Sequence, residues 1–329
     1  MDNIRWGLLS TARINRRLIP SIRMSARSQL VGVASRSLET ARQYAAEWEI
    51  PQAFGSYDEM LDSDQIDAVY ISLPNGLHAE WSIRALQAGK NVLCEKPFAM
   101  NLAEVDQMIA ASKATGKVLT EAFMYRHHPQ TKLVMEWMRS GRLGRILNVN
   151  GVFSFKLDRP GDVRLIKEQG GGSLYDVGVY PLSYAQAVFG APPTRVFGSA
   201  DMGPTGVDMS FTAHMQYASG QTATFFCSFD VPFHTQMEIR GTTGRLVIDR
   251  PFSAIDEVSG FRYYRGDEKP VEVAFTPKDL YLGEVEDMEA AILDGNPPEV
   301  SLEQTRNHIR TVEALLKSAQ TGLPQHLPA

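Results

Sequence analysis

Cysteine is scarce in this chain of 329 residues, with Cys94 and Cys227 the only two. Two thiols cannot form the disulfide framework of a small secreted scaffold, so a reducing, cytoplasmic setting is expected. A surplus of positive charge is also missing. With 33 Lys and Arg against 38 Asp and Glu, the net charge is −5, which leaves nothing to offset phosphate repulsion on a nucleic acid. No apolar run approaches the ~20 residues of a membrane span. The opening Met1-Asp2-Asn3-Ile4-Arg5-Trp6 lacks the apolar core of a signal peptide. Metal-ligand spacing is lacking too. The adjacent His127 and His128 would point to opposite sides of an extended segment, with no Cys or His partners nearby, so no metal is expected. Either histidine remains open to a substrate hydrogen bond. Repeats and low-complexity tracts are absent. What is present is a globular composition, 43% hydrophobic and 22% charged, in a chain long enough for two cores.

The first part alternates short apolar runs with amphipathic stretches. Strands are predicted over 4–9, 30–34, 68–73, 92–94 and 118–122. Helices are predicted over 14–24, interrupted or bent near Pro20, over 38–48, over 79–88 with Gly89 as the stop, and over 102–115 with Asn101 as N-cap. Near-continuous apolar strands alternating with helices imply an α/β Rossmann-type, doubly wound parallel sheet covered on both faces.

The pattern changes near residue 145. Strand-like composition recurs over 146–157, 195–200, 211–217, 222–229, 236–240 and 246–248, with hairpin turns at Ser219-Gly220 and 241–244. A helix over 172–189 interrupts the series, and helices over 282–293 and 301–319 close the chain. Met202, Met209, Met215 and Met237 read as packing residues. The expected plan is a dinucleotide-binding domain over 1–124 and an α+β substrate-binding and oligomerisation domain over 125–329. The second would hold a large, mostly antiparallel, open-faced sheet, and its C-terminal helix is a candidate to pack back on the first domain.

A dinucleotide-binding turn needs small residues where a strand meets a helix, so that backbone amides approach a pyrophosphate. The segment Gly7-Leu8-Leu9-Ser10-Thr11-Ala12-Arg13-Ile14-Asn15 has the right position but fails a strict glycine search. Ser10, Ala12 and Asn15 stand where three glycines would. Ala12 still permits close approach, and the Ser10 and Thr11 hydroxyls suit phosphate oxygens. By itself the segment is equally compatible with an ordinary βα turn. The second strand runs into Ser35-Arg36-Ser37, with no carboxylate before Glu39. Arg36 suits a 2′-phosphate that a carboxylate would repel, so NADP(H) is favoured over NAD(H). A solvated loop arginine is the plainer alternative.

Two further strand ends carry polar groups. One is Leu73-Pro74-Asn75 followed by His78; the other is Cys94-Glu95-Lys96-Pro97. A lysine beside a cofactor stays cationic and lowers the pKa of a neighbouring hydroxyl. In the second part a glycine turn opens the helix Gly172-Ser173-Leu174-Tyr175-Asp176-Val177-Gly178-Val179-Tyr180, where Asp176 and Tyr180, four apart, share a face. Hydride transfer at a carbinol carbon needs a group that exchanges the hydroxyl proton. A tyrosine, with a free pKa near ~10, serves when an ammonium depresses that value.

In order and spacing, the nucleotide turn, Glu95-Lys96-Pro97 and the glycine-led helix resemble the glucose-fructose oxidoreductase/inositol dehydrogenase/rhizopine catabolism (Gfo/Idh/MocA) family over essentially the whole chain. Much of that family has histidine where Tyr180 stands. Tyrosine, with the Gly-Leu-Leu-Ser-Thr-Ala loop, resembles the branch of dimeric dihydrodiol dehydrogenase and NADP-dependent xylose dehydrogenase. The resemblance implies that Lys96 and Tyr180 form the catalytic pair, with Asp176 contacting a substrate hydroxyl or tuning Tyr180. It also implies that Tyr125 and Arg126 lie beside nicotinamide and substrate, that Arg164 faces the site, and that Phe153 supplies an apolar wall. The expected substrate is a sugar or cyclic polyol, and the expected assembly a homodimer or homotetramer. The rivals are an oxidoreductase of trans-dihydrodiols or dicarbonyls and a non-catalytic NADP(H) sensor, which would need neither Lys96 nor Tyr180.

Overall fold

Apolar side chains on both faces bury the central strands of the first sheet. In the computed structural model, which describes residues 3–253 and 260–327, the strands of that sheet are β1 (Ile4–Leu8), β2 (Ser28–Ala34), β3 (Gln52–Phe54), β4 (Ala68–Ile71), β5 (Asn91–Glu95) and β6 (Leu119–Ala122). All pair in parallel, in the order β3-β2-β1-β4-β5-β6. Between them run α1 (Asn15–Met24), α2 (Leu38–Glu47), α3 (Tyr57–Leu61), α4 (His78–Gln87) and α5 (Leu102–Thr115), and a short α6 (Met124–His127) follows. The direction of winding reverses between β1 and β4. At such a switch point the carboxyl ends of the strands open a crevice for ligands.

Local signals hold closely here. The Asn101 side chain accepts from the Glu104 N–H at 2.9 Å and caps α5. Gly89, at φ +79°, follows the end of α4. Pro20 lies inside α1, which continues past it to Met24 with Leu18, Ile19 and Ile22 on its buried face. The three-residue β3 went unpredicted, being too short to show a period.

The second unit starts with α7 (Pro129–Arg139), and α8 (Val179–Phe189) lies between the first two strands of its sheet. The strands are β7 (Ile146–Ser154), β8 (Arg195–Met202), β9 (Asp208–Gln216), β10 (Thr222–Ser228), β11 (His234–Gly241), β12 (Arg245–Asp249), β13 (Gly260–Tyr264), β14 (Val271–Ala274) and β15 (Gln325–His326). They form a nine-stranded sheet in the order β14-β13-β12-β11-β7-β10-β9-β8-β15. Every described pair is antiparallel except β7 with β10. Alternation sends Val149, Phe153, Ala223, Phe225, Cys227, Met237 and Ile239 to the buried face. The opposite face is polar: Asn150 Nδ2 and Arg240 Nη1 both donate to Asn148 Oδ1, at 2.7 and 2.9 Å. The edge strands β14 and β15, and β13 next to β14, went unpredicted, since their residues are largely polar or half-exposed. Met215 and Met237 pack in the core, but Met202 is exposed, a correction to its expected packing role.

The chain closes with α9 (Leu282–Leu293) and α10 (Leu302–Thr321). Two compact units result: Met1–His127 with Tyr281–Arg306, and His128–Leu280 with Asn307–Ala329. Within the first unit the late segment is tied down by Ser25 and Ser28, whose hydroxyls donate to Glu289, and by an Arg27–Asp294 ion pair at 2.7 Å. No helix among the described residues is long and apolar enough to cross a membrane.

Candidate active site

At the switch point of the parallel sheet, Ser10 after β1 meets Ser72 after β4, hydroxyl to hydroxyl, at 2.8 Å. Asn15 completes the knot. Its Nδ2 donates to the Ser10 carbonyl at 2.7 Å, and its Oδ1 accepts from Ser72 Oγ at 2.6 Å. Ser10 Oγ also accepts from the Ala12 N–H at 3.1 Å. The residues standing in place of glycines therefore brace two strand tips against each other. Gly7 lies within β1, where a Cβ would come within 2.7 Å of Met60 Sδ, so its smallness serves packing. Thr11, Ala12, Arg13 and Ile14 stay at least partly accessible, and no side chain caps the start of α1. An uncapped helix start at a switch point suits a pyrophosphate.

At the tip of β2, Ser35 Oγ accepts from the Ser37 N–H at 3.5 Å, and Ser37 caps α2. Arg36 is exposed and has no ion-pair partner among the described residues. Glu39 is occupied by Gln43, its Oε1 accepting at 3.3 Å. An uncommitted guanidinium at this tip fits a 2′-phosphate.

Beyond β4, Leu73-Pro74 leads into a 3-10 turn over Asn75–Leu77. His78 is fully buried, its ring set between the Leu73 and Pro97 carbonyls at 2.8 Å each. At the tip of β5 the Glu95 carboxylate accepts from the Tyr70 hydroxyl and from the Lys96 N–H, the latter at 3.1 Å. Burial pushes the Tyr70 hydroxyl well above its ordinary pKa, so it stays protonated and can donate to Glu95. Glu95 thus fixes the backbone of Lys96, whose side chain is half-buried. On α6, Tyr125 packs edge-on against Phe123 with centroids 5.8 Å apart. Arg126 is buried and touches Glu299 at 3.5 Å through Nη2, while its Nη1 is buried with no hydrogen-bond partner. Such a donor suits a polar ligand atom.

In the second unit, the helix expected over 172–189 begins as a π-helical turn, Leu174–Gly178, with the Val179 N–H donating to the Leu174 carbonyl. The start is wider than the simple α-helix expected, with Asp176 inside the π turn and Tyr180 in the α-helix that follows. Two glycines permit it. Gly172 has φ +122°, and a Cβ on Gly178 would lie 2.9 Å from Cys227 Sγ. Asp208, the first residue of β9, anchors the start: it accepts from Ser173 Oγ and the Leu174 N–H, both at 2.7 Å. Burial pushes its pKa up to about 6. Asp176 accepts from Arg164 Nε at 2.7 Å, and the Asp176 carboxylate holds the guanidinium charged. Tyr180 sits among aromatic rings, 5.3 Å from Phe153 and 5.4 Å from Phe252. Phe153 and Phe252 stack at 11°. His128 caps α7, its Nδ1 accepting from the Gln130 N–H at 3.2 Å.

In the first unit, contacts tie the β1 tip to the β4 tip through Ser10, Ser72 and Asn15, and the β4 tip to the β5 tip through His78. In the second, Phe153 meets Tyr180 and Arg164 meets Asp176. Sequence reasoning missed Asn15, Ser72, Asp208 and Phe252, and also Glu121, which accepts from the Phe98 N–H at 3.1 Å. Asn15 was noted only as a departure from glycine, and nothing local marks the other four.

A family model described as the oxidoreductase family with NAD-binding Rossmann fold (GFO_IDH_MocA) matches residues 4–123. The GFO/IDH/MocA C-terminal domain matches residues 131–247. The D-xylose 1-dehydrogenase (NADP(+)) 2 of Haloferax volcanii is 37% identical, covering 96% of this chain and 98% of that one. The trans-1,2-dihydrobenzene-1,2-diol dehydrogenase of Bos taurus is 33% identical over 73% of this chain and 72% of its own. A 3-ketoreductase from Actinomadura kijaniata, solved in complex with NADP and TDP-benzene, superposes with a TM-score of 0.91. It is 29% identical and covers 96% of this chain and 98% of that one.

Proposed function

Because the chain belongs to the Gfo/Idh/MocA oxidoreductase family, we propose that it is an NADP(H)-dependent oxidoreductase acting at a carbinol carbon of a sugar or cyclic polyol. One observation carries this reading. Solved variants of the A. kijaniata 3-ketoreductase replace a single lysine or a single tyrosine. Those two residues are spaced along that chain as Lys96 and Tyr180 are along this one.

Bound NADP(H) gives or takes the hydride. The accessible turn Thr11, Ala12, Arg13 and Ile14 holds its pyrophosphate. Arg36, between Ser35 and Ser37, pairs with the 2′-phosphate. Leu73, Pro74, Asn75, Lys96, Pro97 and Arg126 flank the nicotinamide end, while Gly7, Ser10 and Glu95 shape the strand tips behind them. Tyr180 exchanges the proton of the reacting oxygen through its hydroxyl, and the Lys96 ammonium favours the phenolate. Asp176 and Arg164 work as a pair: the carboxylate orients the guanidinium, and both meet polar groups of the substrate. Tyr125 and Phe153 provide its apolar contacts. The first unit serves the dinucleotide and the second the substrate.

The Tyr180→Phe variant tests this. Turnover should fall by on the order of 100- to 10,000-fold, with NADPH affinity by fluorescence titration unchanged. Near-full activity would remove Tyr180 from the role.

A second reading has its own support. The Phe153, Phe252 and Tyr180 cluster is an aromatic wall suited to a trans-dihydrodiol or dicarbonyl substrate, like that named for the bovine relative. Parallel assays on xylose, glucose and a trans-dihydrodiol decide between the two. We also propose a homodimer or homotetramer through the polar face of the nine-stranded sheet, checked by light scattering. A cytoplasmic location fits Cys94 and Cys227, both free and buried.

A further inference from the structure

One peptide unit next to Lys96 is held from both sides by buried ionisable groups. The Pro97 carbonyl lies 2.8 Å from His78 Nδ1, and the N–H of the same peptide, on Phe98, donates to Glu121 Oε1 at 3.1 Å. With its other nitrogen His78 meets the Leu73 carbonyl, again at 2.8 Å. The second oxygen of Glu121 accepts from Thr305 Oγ1 at 2.9 Å. His78 is 0% exposed and Glu121 2%, so water does not substitute for these partners.

A carbonyl has no hydrogen to give. If both contacts of His78 are hydrogen bonds, both ring nitrogens donate. A neutral imidazole carries one N–H only, and its second nitrogen would turn a lone pair toward a carbonyl oxygen. The imidazolium alone satisfies both. Glu121, accepting at both oxygens, has the acceptor pattern of a carboxylate. The Pro97–Phe98 peptide joins them with its C=O toward the ring and its N–H toward the carboxylate, so each charge strengthens the opposite hydrogen bond. Burial lowers the His78 pKa; the two carbonyls and Glu121 raise it, and Lys96 lowers it. Those effects together leave the ring below its ordinary value, against the demand of the contacts. The contacts decide, because no neutral tautomer meets both carbonyls.

We propose that His78 and Glu121 form a charged brace, imidazolium to peptide to carboxylate, that fixes the strand tips bearing Leu73 and Lys96. His78 is then a positioning residue and not a direct contact of the cofactor. The effect on turnover rests on the role of Lys96 proposed above; the charge state of the brace does not.

Side-chain NMR of the whole protein with isotopically labelled histidine reads the brace directly. One of the seven histidines should keep protons on both ring nitrogens near pH ~7.5, about one unit above the free imidazole pKa of ~6.5. That signal should vanish in His78→Gln. Glu121→Gln, which keeps an acceptor for Phe98 but loses the charge, should strip one proton from the ring at the same pH. A singly protonated His78 in the unsubstituted protein overturns the brace. Two ring protons persisting in Glu121→Gln would overturn the coupling to the carboxylate. Both variants should lower kcat on the order of 10- to 100-fold, with NADPH affinity little changed. Unaltered kcat in both would overturn the positioning role. If Tyr180→Phe stays active instead, the catalytic reading fails while the ring-proton result stands.

Discussion

Arg164 Nε donates to Asp176 Oδ2 at 2.7 Å, latching the segment before the glycine turn to the π-helical turn that leads to Tyr180. The latch is doubled by backbone, since the Gly172 N–H donates to the Arg164 carbonyl at 2.9 Å. Asp162 adds a second carboxylate at 3.2 Å from Arg164 Nη1. The Asp176 side chain is 13% exposed and that of Arg164 40%, so solvent weakens the pair from one side only.

Asp176→Asn should therefore destabilise the chain by about 1–2 kcal/mol, toward the low end of the ~1.5–3 kcal/mol of hydrogen bonds to charged groups because solvent reaches Arg164. Arg164→Lys should not rescue function, because an ammonium cannot reproduce the Nε–H fork toward two carboxylates. Urea unfolding midpoints and kcat/KM check both. An Asp176→Asn protein as stable and active as the parent would contradict the latch.

Arg36 has no ion-pair partner among the described residues to release. Arg36→Ala should weaken NADPH binding roughly 10- to 100-fold, the equivalent of about 1.5–3 kcal/mol for lost charge-assisted bonds. NADH binding should hold steady, which paired fluorescence titrations measure. An equal loss for both nucleotides would mean that Arg36 does not read the 2′-phosphate.

Asp208 has a pKa raised from 3.8 to about 6 by burial. Between those values the folded chain holds a proton that the unfolded chain has lost, so stability declines as pH rises through that window. The contribution is fully present below ~4 and gone above ~6, at ~1.4 kcal/mol per pH unit a span of up to about 3 kcal/mol. Asp208→Asn lacks this titration. The gap in unfolding free energy between parent and variant should therefore shift across pH ~4 to ~7. A constant gap would show that Asp208 is not perturbed.

Asn15 satisfies the Ser10 carbonyl and Ser72 Oγ in a site with no exposure. Asn15→Ala strands the Ser10 carbonyl and leaves Ser72 Oγ only its Ser10 partner, and should cost roughly 1–3 kcal/mol of stability. Asn15→Gly, which restores a glycine to the turn, should cost no less. Chemical denaturation measures both, and a neutral Asn15→Gly would reduce the Ser10–Ser72 knot to an incidental contact.

The parallel sheet was legible because its signal is local. Near-continuous apolar runs such as Ala68–Ile71 and caps such as Asn101 act within a few residues. The positions of Lys96 and Tyr180 were legible from spacing and motif. Glu121, Asp208 and Phe252 were not, since each gains its meaning from a partner far along the chain: Phe98 and Thr305, Leu174, Phe153. The π-helical turn was hidden for a related reason. Gly172 and Gly178 look like any helix start until β9 and β10 are set beneath them.

Sequence by itself determined the alternation of strand and helix and the shift to antiparallel strands, and the order and spacing of its motifs carried the family resemblance. Those follow from periodicity and from chemistry carried by single residues. Only tertiary structure decided how the ends of β1 and β4 knot together through Ser10, Ser72 and Asn15. It alone set His78 between two carbonyls and placed Asp208 under the glycine turn. Such contacts join residues remote in the chain, and no local preference encodes a distance of a few ångströms across a fold.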